Sequence, residues 1–219
     1  MKYTDFYLHA TSIPLLRGIN AEYLLNMQER GWMKVVTTEP EEGDIIRQGE
    51  ACCALTMLLC GELTCISQGD GWTLQEQLRA PDTIEEEALW SLQHTFAHTY
   101  RPTQEGKLLV IPQETVKGHL LHNEIFRINL LVRMADRLGH RRQMALDLCR
   151  PANTAEEKIM RFVNGVAFYR TGTKTLKTKM TTLAELVGET RLNVSKALHT
   201  LERQGTLRME RETFVFLHT

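Results

Sequence analysis

Apolar residues along the chain change their period twice. Leu15, Leu16, Ile19, Leu24, Leu25 and Met27 recur at roughly helical spacing, and Asn20 is placed to cap, so residues 1–30 read as short helices. From Trp32 the period shortens. Apolar runs at Val35-Val36, Ile45-Ile46, Leu55 to Leu59, Leu63 to Ile66, Trp72 to Leu78 and Leu108 to Ile111 alternate with turn signals at 42–44, 48–50, 60–62 and 69–71. Short strands so spaced predict a small antiparallel roll or barrel. After Pro112 the period is helical again. Asn123 can cap a helix to about Leu148, along which Ile125, Ile128, Leu131, Val132, Ala135 and Leu138 follow a 3–4 spacing. Such a helix is about twice the globular mean, so it spans a large core or forms a seam with a second copy of itself. Ile125, Ile128, Val132 and Ala135 are the expected seam, and Arg150-Pro151-Ala152 is the expected hinge.

The remaining 69 residues predict helix, strand or loop, helix, turn, helix and hairpin. Thr154-x-x-Glu157 is a capping box opening a helix to about Tyr169, and Thr182-x-x-Glu185 reads as a second box opening a helix that stops at Gly188. Thr190 or Asn193 begins the next helix, with Val194, Ala197, Leu198 and Leu201 as its apolar stripe and Gln204-Gly205 as its end. Thr206 to Leu217 reads as two strands around Glu210-Arg211-Glu212.

Charge sharpens this picture. The net charge is -1, yet residues 151–219 hold 11 Lys/Arg against 7 Glu and no Asp, a net of +4, leaving -5 for residues 1–150. A basic end on an acidic body suits an anionic partner for that end. No apolar run approaches the ~18 residues of a membrane span, and Met-Lys-Tyr-Thr-Asp-Phe lacks a signal-peptide core, so a cytoplasmic protein is expected. The five cysteines (52, 53, 60, 65 and 149) have no framework spacing, and structural disulfides are not expected.

Two helices joined by a short Gly-containing turn, followed by a hairpin, match a winged helix-turn-helix. There the second helix enters the major groove with its N-terminal residues at base edges. Thr190, Arg191, Leu192, Asn193, Ser195 and Lys196 stand there, and Thr182 in the preceding helix joins the DNA-binding set. Arginine is a two-pronged donor for guanine and asparagine can read adenine. Thr, Ser and Lys can hold phosphates, and Leu192 offers only an apolar contact, for example to a thymine methyl. An ordinary amphipathic helix could carry such residues by chance. The caps, turn, stripe, hairpin and charge agreeing together favour duplex DNA.

The stretch from Leu183-Ala-Glu-Leu-Val-Gly-Glu-Thr-Arg-Leu-Asn-Val-Ser-Lys-Ala-Leu to Gly205 resembles the recognition region of the Crp/Fnr transcription regulators, which typically reads Val-Gly-x-Ser-Arg-Glu-Thr-Val-x-Arg-x-Leu-x-x-Leu-Glu. Glu42 to Glu50 resembles that family's first roll turns, Leu58 to Leu63 its central strand pair and Asn123 to Leu148 its dimer helix. The resemblance implies an α+β protein. It has an N-terminal antiparallel β-roll of cyclic-nucleotide-binding-like (cupin-like) type as sensor (residues 1–122), a dimerisation helix and hinge (123–150) and a C-terminal winged helix-turn-helix (151–219). It also implies a homodimer reading a palindrome, RNA polymerase as a further partner and no catalysis. Arg191 corresponds to the guanine-reading arginine and Lys196 to a second basic recognition residue; Asn193, Ser195 and His199 fall at base- or phosphate-contacting positions. Leu192 replaces the usual glutamate, so the site read should differ from the family's best-known operators.

The sensor departs further. Cyclic-nucleotide binders of the family carry Gly-Glu and an Arg-Ser pair. Here Ile84-Glu85-Glu86-Glu87 and Phe96-Ala97 stand at those places, and Arg141-Arg142 replaces the hydroxyl residues of the dimer helix. Glu85, Glu86, Phe96, Ala97, Arg141 and Arg142 are the expected effector pocket. Its acids would repel a cyclic phosphate, so neither cyclic AMP nor cyclic GMP is expected to bind. Cys52, Cys53, Cys60 and Cys65 lie in expected strands without iron–sulfur spacing and read as buried cysteines. His94 and His98, four apart in a strand or loop, do not make a haem or metal pair; a metal site is not expected and the effector is unknown. The rival reading is a haem or small-molecule sensor whose winged helix contacts proteins.

Overall fold

The computed structural model describes residues 3–169 and 171–217. In chain order the elements are α1 (Tyr3–Ser12), α2 (Ala21–Glu29), β1 (Lys34–Thr38), β2 (Ala54–Cys60), β3 (Glu62–Gly69), β4 (Trp72–Arg79), β5 (Asp82–Ile84), β6 (Thr99–Pro102), β7 (Gly106–Pro112), α3 (Gln113–Gly118), α4 (Glu124–Cys149), α5 (Ala155–Val166), β8 (Lys174–Thr178), α6 (Met180–Val187), α7 (Arg191–Arg203), β9 (Leu207–Glu210) and β10 (Thr213–Phe216). The chain folds as two compact units. One comprises Met1–Thr64 and Leu78–Arg137; the other comprises Cys65–Gln77 and Leu138–Thr219.

In the first unit, β1, β7, β2 and β5 pair antiparallel in that order. β2 is buried from Leu55 through Leu59. Such unbroken burial belongs to a strand covered on both faces. Phe6, Leu15, Leu16, Ile19, Leu24 and Met27 bring the N-terminal helices into this core. Asn20 caps α2 as expected, its side chain accepting from Glu22 N at 2.7 Å. Ile45-Ile46 forms only an isolated bridge, Ile46 to Tyr100. β5 and β6 carry no clear apolar alternation, being three and four residues long.

The helix α4 runs for 26 residues, and Asn123 Oδ1 accepts from Phe126 N at 3.1 Å. Phe126 is its one fully buried large side chain among the described residues. Ile125, Ile128 and Val132 are 42%, 52% and 53% exposed, with Ala135 exposed on the same face.

The second unit is built on the ladder β4-β8-β10-β9, all antiparallel. Leu74, Leu176 and Phe214 lie side by side across it, and their row packs with Ile159, Val163, Leu183, Val194, Ala197 and Leu198 of the three helices. β4 comes from a hairpin about a hundred residues earlier in the chain. It pairs along an edge of β8 that would otherwise present unpaired N–H and C=O groups.

Candidate nucleic-acid interface

Local chemistry sets the three helices. The capping box at α5 is complete: Thr154 Oγ1 accepts from Glu157 N, and the Glu157 carboxylate accepts from Thr154 N. The box at Thr182 is not made. α6 begins at Met180, with Lys179 as N-cap and no side-chain cap. Thr178 is pinned where β8 ends, its hydroxyl donating to Gly71 O at 2.8 Å, so the chain enters the helix early and Thr182 becomes a half-buried residue of the first turn. There it packs against the hairpin tip. A Cβ on Gly71 (φ 73°) would come within 2.8 Å of Thr182 Cγ2, so that turn requires glycine.

The connection between α6 and α7 is tight. Gly188 adopts φ 65°, ψ 42°, the left-handed conformation that closes a helix. Glu189 N then donates to Ala184 O, and Thr190 caps α7 by accepting from Asn193 N at 3.2 Å. Val194, Ala197, Leu198 and Leu201 of α7 are buried, as the stripe predicts. The opposite face carries Arg191, Leu192, Asn193, Lys196 and His199, all exposed, with Ser195 half-buried beside them. Among the described residues, neither Arg191 nor Lys196 has an acidic partner; both charges face solvent. His199 Nδ1 lies 3.6 Å from Glu202. The structure therefore places Arg191, Leu192, Asn193, Ser195, Lys196 and His199 on the side of α7 away from its buried stripe, with Thr190 as the N-cap and Thr182 half-buried on α6.

Asn193 has a connection that the sequence did not reveal. Its Nδ2 donates to Glu189 Oε2 at 3.0 Å, while Glu189 Oε1 accepts from Lys158 Nζ of α5 at 2.6 Å. The Lys158 ammonium first, and the Asn193 amide second, hold the Glu189 carboxyl below its ordinary value.

Four of the designated effector residues, Glu85, Glu86, Phe96 and Ala97, belong to the first unit. Glu85 is buried at φ 38° and accepts from Ala97 N (2.7 Å), His98 N (3.1 Å), His98 Nδ1 (2.7 Å) and Tyr100 OH (3.1 Å). Phe96 is buried, and its backbone pairs with Gly49 and Glu50. Glu86 is buried within the first unit. Its carboxylate is held by Arg133 Nε (2.9 Å), Arg137 Nε (2.9 Å) and Arg137 Nη2 (2.8 Å). Those arginines also reach Asp82 and Glu87. Being four apart, Arg133 and Arg137 share one helix face, a signal present in the sequence. Arg141 and Arg142 are exposed in the second unit, Arg141 lying 5.6 Å from the Phe168 ring centroid.

Glu85, Glu86, Phe96 and Ala97 do not line the open cavity beside β1, β7 and the Ile45-Ile46 segment. That cavity, about 430 Å³, is bounded by Val36, Ile45, Ile46, Leu108 and Val110 with Thr38, Thr56, Glu42 and Asp44. Its charged walls are acidic, and Asp44 is paired with Arg101 at 2.8 Å. Cys52 and Cys53 precede β2, one buried and one exposed; burial pushes the Cys52 thiol up to about 11, so it stays protonated at pH 7. His98 is spent on Glu85, and His94 sits in a turn at φ 48°.

The second unit thus has the form of a winged helix-turn-helix: α6, turn, α7 and the β9–β10 wing. No family model and no curated protein matches the chain. Solved structures do. The catabolite activator protein of Thermus thermophilus superposes with a TM-score of 0.52 at 18% identity, covering 93% of this chain and 93% of that one. CLP of Xanthomonas campestris, a c-di-GMP responsive global regulator, gives 0.53 at 19% identity over 91% of this chain and 100% of its own. A Crp/Fnr-family transcriptional regulator of Eubacterium rectale gives 0.54 at 16% identity over 93% of both chains. The chain therefore has the α+β fold of these regulators, a cyclic-nucleotide-binding-like roll with a helix-turn-helix domain. No described helix is long and apolar enough to cross a membrane.

Proposed function

We propose that the protein is a sequence-specific transcription regulator that binds duplex DNA through α7, with residues 1–122 as sensor domain, 123–150 as dimerisation helix and hinge, and 151–219 as the reading domain. The observation that carries this reading is the outer face of α7. Among the described residues Arg191 and Lys196 stand there without acidic partners, and Asn193 is held by Glu189 on a helix fixed by a left-handed glycine and an N-cap. Bidentate donors belong at base edges and unpaired cations at phosphates. The seam Ile125, Ile128, Val132 and Ala135 is exposed at 3–4 spacing, which suits a second copy of α4. A homodimer of this kind reads a palindrome, works in the cytoplasm and can offer a surface to RNA polymerase.

Cyclic AMP is not the effector in this reading. Arg133 and Arg137 already neutralise Glu86, no arginine stands at Phe96-Ala97, and the open cavity has acidic walls. An uncharged small molecule suits that cavity better.

Arg191→Ala tests the reading. Affinity for the preferred site should fall by about 1–3 kcal/mol, with relaxed specificity at one base pair, measured by fluorescence anisotropy on duplex oligonucleotides. Leu192, 64% exposed on the same face, is what favours the rival in which this helix contacts a protein. Unchanged DNA affinity in Arg191→Ala supports that rival.

A further inference from the structure

We infer that Glu189, anchored by Lys158, is a positioning residue that fixes which edge Asn193 presents to DNA. The inference rests on the DNA-reading role proposed above and adds a specificity device to it. A carboxylate has no proton to donate, so it accepts only; the Asn193 amide must therefore turn its nitrogen towards Glu189. This sets the amide's orientation, which in a free exposed asparagine is open to a half-turn about a broad terminal torsion. Oδ1 and the second N–H remain available, and an acceptor beside a donor is the pattern that reads adenine N6 and N7.

The two oxygens of Glu189 have separate duties. One holds Asn193, and the other takes the Lys158 ammonium from α5. The Glu189 and Lys158 side chains are 18% and 32% exposed, so the pair is partly sheltered. A bare carboxylate on a DNA-facing turn would repel phosphates, and the lysine cancels that charge. Lys158 thus permits an acidic residue next to the reading face, and the acidic residue orients the reader.

The test uses the full-length protein. A randomised duplex DNA library yields a preferred site, and binding is then measured on that site and its single-base-pair variants. Asn193→Ala should lose discrimination at one base pair per half-site, by about 5- to 150-fold for a bidentate contact. Glu189→Ala should lose about 3- to 10-fold at the same base pair, a fraction of that contact. Affinity for non-specific DNA should hold or rise, because a negative charge is gone. Lys158→Met should weaken the same preference, and the pair Glu189→Ala, Asn193→Ala should discriminate no worse than Asn193→Ala alone. Lys158→Met carries the test if Glu189→Ala unfolds. The inference is overturned if Glu189→Ala and Lys158→Met keep full discrimination at the base pair read by Asn193, or if they weaken all sequences equally. Failure of the underlying reading looks different: the unaltered protein then enriches no site, which overturns the inference with it before any variant is made.

Discussion

Replacing Glu76 with Ala should destabilise the C-terminal unit by about 3–5 kcal/mol, the scale for leaving a buried charge uncompensated. Glu76 lies on β4, 2% exposed, opposite Lys174 of β8, which is 1% exposed. Its carboxylate accepts from Phe168 N at 2.7 Å and Tyr169 N at 3.1 Å. Burial lowers the Lys174 pKa, and the Glu76 charge opposes that shift. Alanine removes the opposing charge and the acceptor for two backbone donors together, whereas Glu76→Gln keeps an acceptor and should lose less. The pH dependence has a definite sign. A lysine held below its ordinary value binds protons less tightly folded than unfolded, so stability rises with pH towards the unfolded value of about 10.5. The alanine variant should therefore recover part of its deficit at alkaline pH. Urea unfolding at pH 7 and pH 10 measures both effects, and equal stability of the variant and the unaltered protein at pH 7 would contradict the role given to Glu76.

Glu86→Ala is the second large change, expected to cost about 2–4 kcal/mol, less than for a fully buried pair because the arginines are about a fifth exposed. The Glu86 side chain is fully buried and accepts three guanidinium hydrogen bonds. Without it Arg133 and Arg137 keep Asp82 and Glu87 and regain some water. Thermal unfolding should show the loss in the N-terminal unit. The same cluster explains why millimolar cyclic AMP should leave the melting temperature of the unaltered protein where it is. A rise of several degrees would mean that the arginines release Glu86 to a ligand.

These two clusters were the least legible parts of the sequence. Pairing of β4 with β8 joins segments a hundred residues apart, and nothing near Trp72 or Lys174 announces it. The acids at 85–87 were visible as charges, but their fate depends on the rotation of α4, which puts Arg133 and Arg137 on Glu86. Features written in local chemistry were readable: the Thr154 box, the Gly188 stop, the Thr190 cap and the buried stripe of α7. Thr182 shows the limit of such signals. Its spacing to Glu185 equals that of Thr154 to Glu157, yet the hydrogen bond from Thr178 to Gly71 starts the helix before it. Glu189 was overlooked because its partner Lys158 lies 31 residues earlier, on another helix.

The proposal that α7 reads DNA as part of a dimer is tested most directly by selecting from a randomised duplex library with the full-length protein, followed by salt titration on the enriched sequence. The expected result is an inverted repeat whose half-sites lie about one helical turn, some 34–36 Å, apart, with affinity falling steeply as salt rises. A library that returns no enriched sequence, or binding indifferent to salt, would contradict it.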